Sequence, residues 1–188
     1  MKITEEQFEN QLLGILGELG YLYENGYEIA PETERAERTD YREVVLIGRL
    51  REKLVEFNPN IPTSGIEDAI EQITRPNFPV LIQNNREFHR QLRDGVKVVF
   101  QEGDETKADF VRLFDFEKID ANEFLAVNQF SVVGKSKKRP DIIIFINGLP
   151  IAVLELKNPA DINTTIYDSY KQLQTYKTEI PDLFIITN

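Results

Sequence analysis

The stretch that most constrains the fold is Arg139–Pro159, RPDIIIFINGLPIAVLELKNP. Two apolar runs of Ile, Val, Leu and Phe flank Asn147-Gly148, a dipeptide suited to a tight hairpin turn. Strands this apolar belong inside a sheet covered on both faces. Charged residues in such surroundings need partners or a purpose. Asp141 opens the first run, and Glu155 and Lys157 close the second. Glu155 and Lys157 are two apart, so on a strand they share one face. Asp141 reaches that face only under one condition. A plain two-residue turn pairs Ile146 with Leu149 and Asp141 with Leu154, which puts Asp141 on the opposite face. A loop one residue longer, or a β-bulge, pairs Asp141 with Glu155 instead. A site built from these three residues therefore predicts an odd loop or a bulge.

Composition narrows the chemistry. The 188 residues contain no cysteine and one histidine, His89, which excludes disulfides, thiol catalysis and thiolate-bound zinc. Acid–base work or metal binding then falls on carboxylates, whose hard oxygens suit Mg2+ or Mn2+. A net charge of -10 argues against a surface that grips nucleic acid everywhere, but leaves room for a local site. No apolar run reaches membrane-span length, and the acidic, amphipathic first twenty residues do not resemble a signal peptide. A cytoplasmic location, with no membrane contact, is the expectation.

Along the chain, Thr4 and Gln7 form a capping box before the stripe Phe8, Leu12, Ile15, Leu16 and Leu19, which Gly20 ends. Glu5 and Glu9 project on the stripe side. For Glu5 the helix dipole is reason enough, whereas Glu9 lies deeper. Residues 21–38 read as a loop with a short strand. Helices are expected over 40–57, from Thr63 or Ser64 to Ile73, and over 79–93. Arg86, His89, Arg90 and Arg93 fall on the last of these; they read as a solvated face and a structural histidine. Strands are expected at 97–101, 109–116 and 124–133, then a basic connection at 134–139. After the opening stretch come a loop at 158–163, a helix from Thr164 or Thr165 to Glu179, and a strand over 183–187. Gly134-Lys135-Ser136 imitates the tail of a phosphate-binding loop, but Gln129 stands where that motif needs glycine, and no helix follows. Lys135, Lys137, Lys138 and Arg139 read equally as a solvated turn or as a contact to a DNA backbone. On the helix after the second apolar run, Gln172 and Tyr176 share a face by their i, i+4 spacing.

Two carboxylates and a lysine on one face can hold a metal ion, activate water and neutralise charge on a phosphodiester. Pro140-Asp141, thirteen intervening residues and Glu155-Leu156-Lys157 fit the PD-(D/E)xK nuclease pattern, which is weakly specific by itself. With VNQFSVVG, NREFHRQLRDGVKV and Gln172-Leu173-Gln174-Thr175-Tyr176, a Q-x-x-x-Y motif, the chain closely resembles the N-terminal nuclease domain of the R (restriction) subunit of type I restriction–modification enzymes. The resemblance covers most of the chain. It implies a three-layer α/β/α restriction-endonuclease-like fold with a mixed central sheet and a helical insertion at about 40–94. The catalytic core is then about 96–188 plus helix 4–20, one nuclease domain within a longer subunit. It also implies magnesium held by Asp141 and Glu155, with Glu9 a further ligand, and Lys157 completing the catalytic set. Gln172 and Tyr176 would support DNA positioning. The implied partners are double-stranded DNA and the methyltransferase and specificity subunits. ATP would enter only through motor domains that these residues do not contain. The alternatives are a non-cutting docking module for DNA or a partner subunit, and a stand-alone repair nuclease of the same superfamily.

Overall fold

A computed structural model describes residues 4–158 and 165–187. Most of the loop expected at 158–163, and the alternative helix start at Thr164, lie outside the described residues. Helix α1 (Glu5–Glu18) begins with the expected capping box: Gln7 N–H donates to Thr4 Oγ1 at 3.2 Å and Thr4 N–H to Gln7 Oε1 at 3.0 Å. Its apolar face is narrower than the sequence suggested. Phe8, Leu12, Leu13 and Leu16 pack inward, whereas Ile15 and Leu19 are exposed.

The scaffold is a mixed four-stranded sheet in the order β1 (Leu22–Asn25), β4 (Phe124–Asn128), β7 (Ile142–Ile146), β8 (Leu149–Leu154). Strand β1 runs parallel to β4, and the other pairs are antiparallel. Alternation along β7 divides the apolar side chains between two clusters. Ile142 and Ile144 meet α1, Ala126 and Leu156 on one face. Ile143 and Phe145 join the larger core on the other, together with Leu50, Leu54, Phe88 and Tyr176. That core is built by helices α2 (Ile47–Phe57), α3 (Thr63–Thr74), α4 (Leu81–Asp94), α5 (Ile166–Glu179) and α6 (Leu183–Ile186), with the hairpin β2 (Val96–Glu102)/β3 (Glu105–Val111).

Four expectations are corrected. The strand expected over 109–116 is instead β3, which starts at Glu105 and ends at Val111. Helix α2 starts at Ile47 and not near Asp40, because 40–46 uses its backbone on tertiary partners: Leu46 N–H donates to Gly148 O, and Tyr41 O accepts from Val133 N–H. The strand expected over 124–133 breaks at Gln129, whose φ of 56° cannot continue a ladder. The chain resumes as a small hairpin of β5 (Val132–Val133) and β6 (Lys137–Lys138), so the basic connection is itself paired. Finally, 183–186 is a helical turn and not a strand. Its short apolar run has no period of its own, and packing against α4 and β8 decides it.

Asn147 and Gly148 both have positive φ, 53° and 79°, as a two-residue primed turn requires. Ile146 accordingly pairs with Leu149. One step on, the register shifts between Ile144 and Phe145: Phe145 pairs with Pro150, but Ile144 pairs with Ala152. Ile151 is the extra residue of a β-bulge. Beyond it Ile142 faces Leu154, so the register continued by one residue sets Asp141 against Glu155. The turn is the short one, and the bulge restores the parity that the site requires.

Candidate active site at the open end of the hairpin

Asp141 and Glu155 lie just past the paired ends of β7 and β8, where the hairpin opens. Asp141 Oδ2 accepts the Leu156 N–H at 2.6 Å, which ties the two strands together across this end. The Glu155 side chain is only 1% exposed, and its Oε1 accepts from Lys157 Nζ at 2.9 Å. Lys157 also lies 3.9 Å from Glu5. From α5, Gln172 Nε2 donates to Tyr176 Oη at 2.7 Å, and Tyr176 is buried beside Glu155. The i, i+4 pair is thus one unit, held by the helix whose capping box joins Thr165 to Asp168.

Glu9, which the resemblance offers as a further ligand, is bonded to residues at the end of β4. It is buried, and its Oε1 accepts from Asn128 Nδ2 at 2.6 Å and Gln129 Nε2 at 3.3 Å. Asn128 Oδ1 in turn accepts from Tyr23 Oη at 3.0 Å. Glu9 nevertheless shares with Asp141 an open cleft of about 520 Å³, lined also by Glu5, Glu6, Asn128 and Gln129. Sequence reasoning missed Asn128, Gln129 and Tyr23. The available signal was a polar Asn-Gln pair interrupting an apolar strand.

Burial raises the Asp141 carboxyl above its ordinary pKa, opposed by the Leu156 N–H and by Lys157, and assisted by Glu5 and Glu9. Burial also raises Glu155; the Lys157 hydrogen bond opposes it, and the charge of Asp141 adds to the rise. Burial would lower Lys157, but the Glu155 hydrogen bond and the surrounding carboxylates outweigh it, so Lys157 is held protonated. Burial first, and then the neighbouring carboxylates, push the Tyr176 hydroxyl up, so it stays a neutral donor.

One atom is left over. Glu155 Oε2 is buried and has no hydrogen-bond partner among the described residues. A carboxylate oxygen in that state is costly unless something positive approaches it. Among the described residues no group of three or more acids or histidines converges on one point. A two-carboxylate set still fits Mg2+, which keeps several waters and is commonly bound through one or two carboxylates plus substrate phosphate. The orphaned oxygen, the paired acids and the all-oxygen donor set fit such an ion at Asp141 and Glu155.

Fold and site together define an α/β domain with an acid–acid–lysine cluster at the open end of a bulged hairpin. Residues 2–185 match the family model described as the type I restriction enzyme R protein N terminus, and the chain belongs to that family. The HindI endonuclease subunit of a type I restriction enzyme from Haemophilus influenzae is 36% identical over 185 residues, covering 97% of this chain and 18% of the relative. A relative in Methanocaldococcus jannaschii, also named as a type I endonuclease subunit, is 36% identical over 188 residues with the same coverages. A type I endonuclease subunit of Staphylococcus aureus, SauMSSORF170P, is 28% identical over 193 residues, covering 98% and 18%. The chain therefore spans less than a fifth of the length of the curated relatives it matches.

Proposed function

We propose that this chain is the nuclease domain of a type I restriction R subunit, a three-layer α/β/α restriction-endonuclease-like fold that hydrolyses phosphodiesters of double-stranded DNA with Mg2+ or Mn2+. The observation that carries the reading is the bulge at Ile151, which sets a register that, continued one residue past Ile142 and Leu154, brings Asp141 opposite Glu155 despite a two-residue turn. A hairpin serving structure alone has no need to place two acids together at its open end. Bound at Asp141 and Glu155, the ion would supply Lewis-acid charge and an acidified water. The protein's own groups do the rest. Lys157, kept protonated by Glu155, presents a fixed positive charge to the phosphate oxygens as negative charge develops there. The Leu156 N–H holds Asp141 Oδ2, which fixes the carboxylate without a large entropic cost. Tyr176, locked by Gln172, keeps a neutral hydroxyl beside Glu155 and limits its rotation.

The relatives' names support work within a type I enzyme. Methyltransferase and specificity subunits are then the partners, ATP-driven translocation resides elsewhere in the assembly, and the setting is the cytoplasm. Substituting Asp141→Ala or Lys157→Ala in the complete assembly is expected to abolish DNA cleavage while leaving ATP hydrolysis intact. Cleavage at the unsubstituted rate would overturn the site.

A further inference from the structure

The protein carries ten more acids than bases, and most of its ion-paired cations are neutralised locally. Arg35 binds Glu24 and Glu28, Arg49 binds Glu37 and Glu123, Arg51 binds Glu67, and Arg90 binds Glu87. Among the described residues unpaired cations occur elsewhere too, but the β5–β6 hairpin and the residue after it cluster them. Lys135, Lys137, Lys138 and Arg139 stand within five residues, and among the described residues none of them pairs with a carboxylate. Lys135, Lys137 and Arg139 are exposed.

This cationic turn is held rigidly. Val133 N–H donates to Tyr41 O at 3.0 Å, and Lys135 N–H donates to Glu179 O at 2.7 Å. Gly134 packs so tightly on the Glu179 carbonyl that a Cβ there would collide with it. Lys137 Nζ lies 4.3 Å from the Tyr41 ring centroid, and Arg139 rests on Tyr27, to whose hydroxyl it donates. Its place is as telling as its rigidity. Lys138 precedes Asp141 by three residues, so their Cα atoms are at most about 10 Å apart. That is about three base-pair rises along a duplex. The cleft that Asp141 helps to line also carries Glu5, Glu6 and Glu9, whose negative charge repels a phosphate chain and leaves the holding of one to cations outside it.

We infer that the β5–β6 hairpin is the phosphate-backbone clamp of this domain: Lys135, Lys137, Lys138 and Arg139 hold the DNA strand a few nucleotides from Asp141. The inference rests on the nuclease reading for the identity of the strand being held. Cations fixed in advance lose little conformational freedom on binding, and each phosphate they neutralise releases condensed counterions. The contact is to the backbone, so it carries no sequence preference.

The test is equilibrium binding of the full-length subunit to a fluorescent DNA duplex, read by anisotropy between 50 and 200 mM salt, with chelator and without ATP. Replacing all four cations by Ala is expected to lower affinity at least about tenfold at low salt. It should also reduce the slope of log affinity against log salt by about 3.6, at roughly 0.9 for each of four lost phosphate contacts. The single reversal Lys135→Glu guards against misfolding, since that side chain makes no ion pair among the described residues, and it should move both quantities the same way. Arg90→Ala with Arg93→Ala removes charge from α4 and should change neither. An unaltered slope in the fourfold variant, or an equal loss in the α4 control, overturns the inference. Binding without metal reads the hairpin even if Asp141 and Glu155 prove not to cut. A cleavage-dead Asp141→Ala protein that still binds tests the site and leaves the clamp standing.

Discussion

Asn147 and Glu155 sit at opposite ends of one hairpin, both withdrawn from water. Asn147 is completely buried. Its backbone N–H donates to Glu123 O at 2.9 Å, and its Oδ1 accepts from Glu123 N–H at 2.8 Å. Its Nδ2 donates to Leu113 O at 3.0 Å and Asn122 Oδ1 at 2.9 Å. Its polar groups are matched inside the protein, and the turn is bound to the strand and loops around it. At the other end Glu155 has one oxygen on Lys157 and one with no partner among the described residues, and burial raises both its pKa and that of Asp141. Paired polar groups in a core act as architecture, while an orphaned acid beside a second acid is a cost that, on the proposed function, the metal ion would offset. The two ends of β7–β8 thus differ: one is satisfied from within the protein, and the other keeps a buried carboxylate oxygen without a partner among the described residues.

This contrast predicts opposite responses to mutation. Glu155→Gln preserves shape and removes charge. Cleavage by the complete assembly is expected to fall about 10²–10³-fold, because the ion that Glu155 would hold is what stabilises transition-state charge, while the fold survives, as circular dichroism and melting would show. Wild-type cleavage with Gln at 155 would make the open end structural after all. Asn147→Ala should do the reverse. It leaves Leu113 O and the Glu123 backbone partly unsatisfied and forces a positive φ on alanine, costing about 3 kcal/mol by denaturant titration. A variant as stable as the parent would remove the distinction between the ends.

The smallest effect is a pH dependence measured in chelator. A carboxyl whose pKa is raised by folding binds its proton more tightly in the native state than in the unfolded chain. The stability contributed by Asp141 and Glu155 is therefore full below their ordinary values of 3.8 and 4.5, and is lost as pH rises through the raised folded values. Glu155→Gln should flatten this part of the stability profile and melt slightly higher than the parent at neutral pH. A profile with the parent's slope would show that Glu155 is not destabilised by burial.

Much of this was legible along the chain. The capping box of α1 rests on side chains that bond within one turn, so the sequence alone specifies it, and the α5 box at Thr165 and Asp168 is equally local. The charged triplet was visible because acids in an apolar strand violate burial preferences. What escaped was non-local. The helical state of 183–186 follows from its packing on α4 and β8, and the break at Gln129 aligns its amide with Glu9, 120 residues away in sequence. The destination of Glu9 could not be read from α1, because its partners are Asn128 at the end of β4 and Gln129 just beyond it.

The sequence by itself determined the locally capped helices, the family-like motif and the condition that Asp141 must meet to face Glu155. Only the tertiary structure decided how that condition is met. Asn147-Gly148 dictates a two-residue turn through backbone sterics confined to two residues. The bulge at Ile151 is a choice of register between two strands, each held by neighbours on its own side of the sheet, and no local preference in PIAV specifies it.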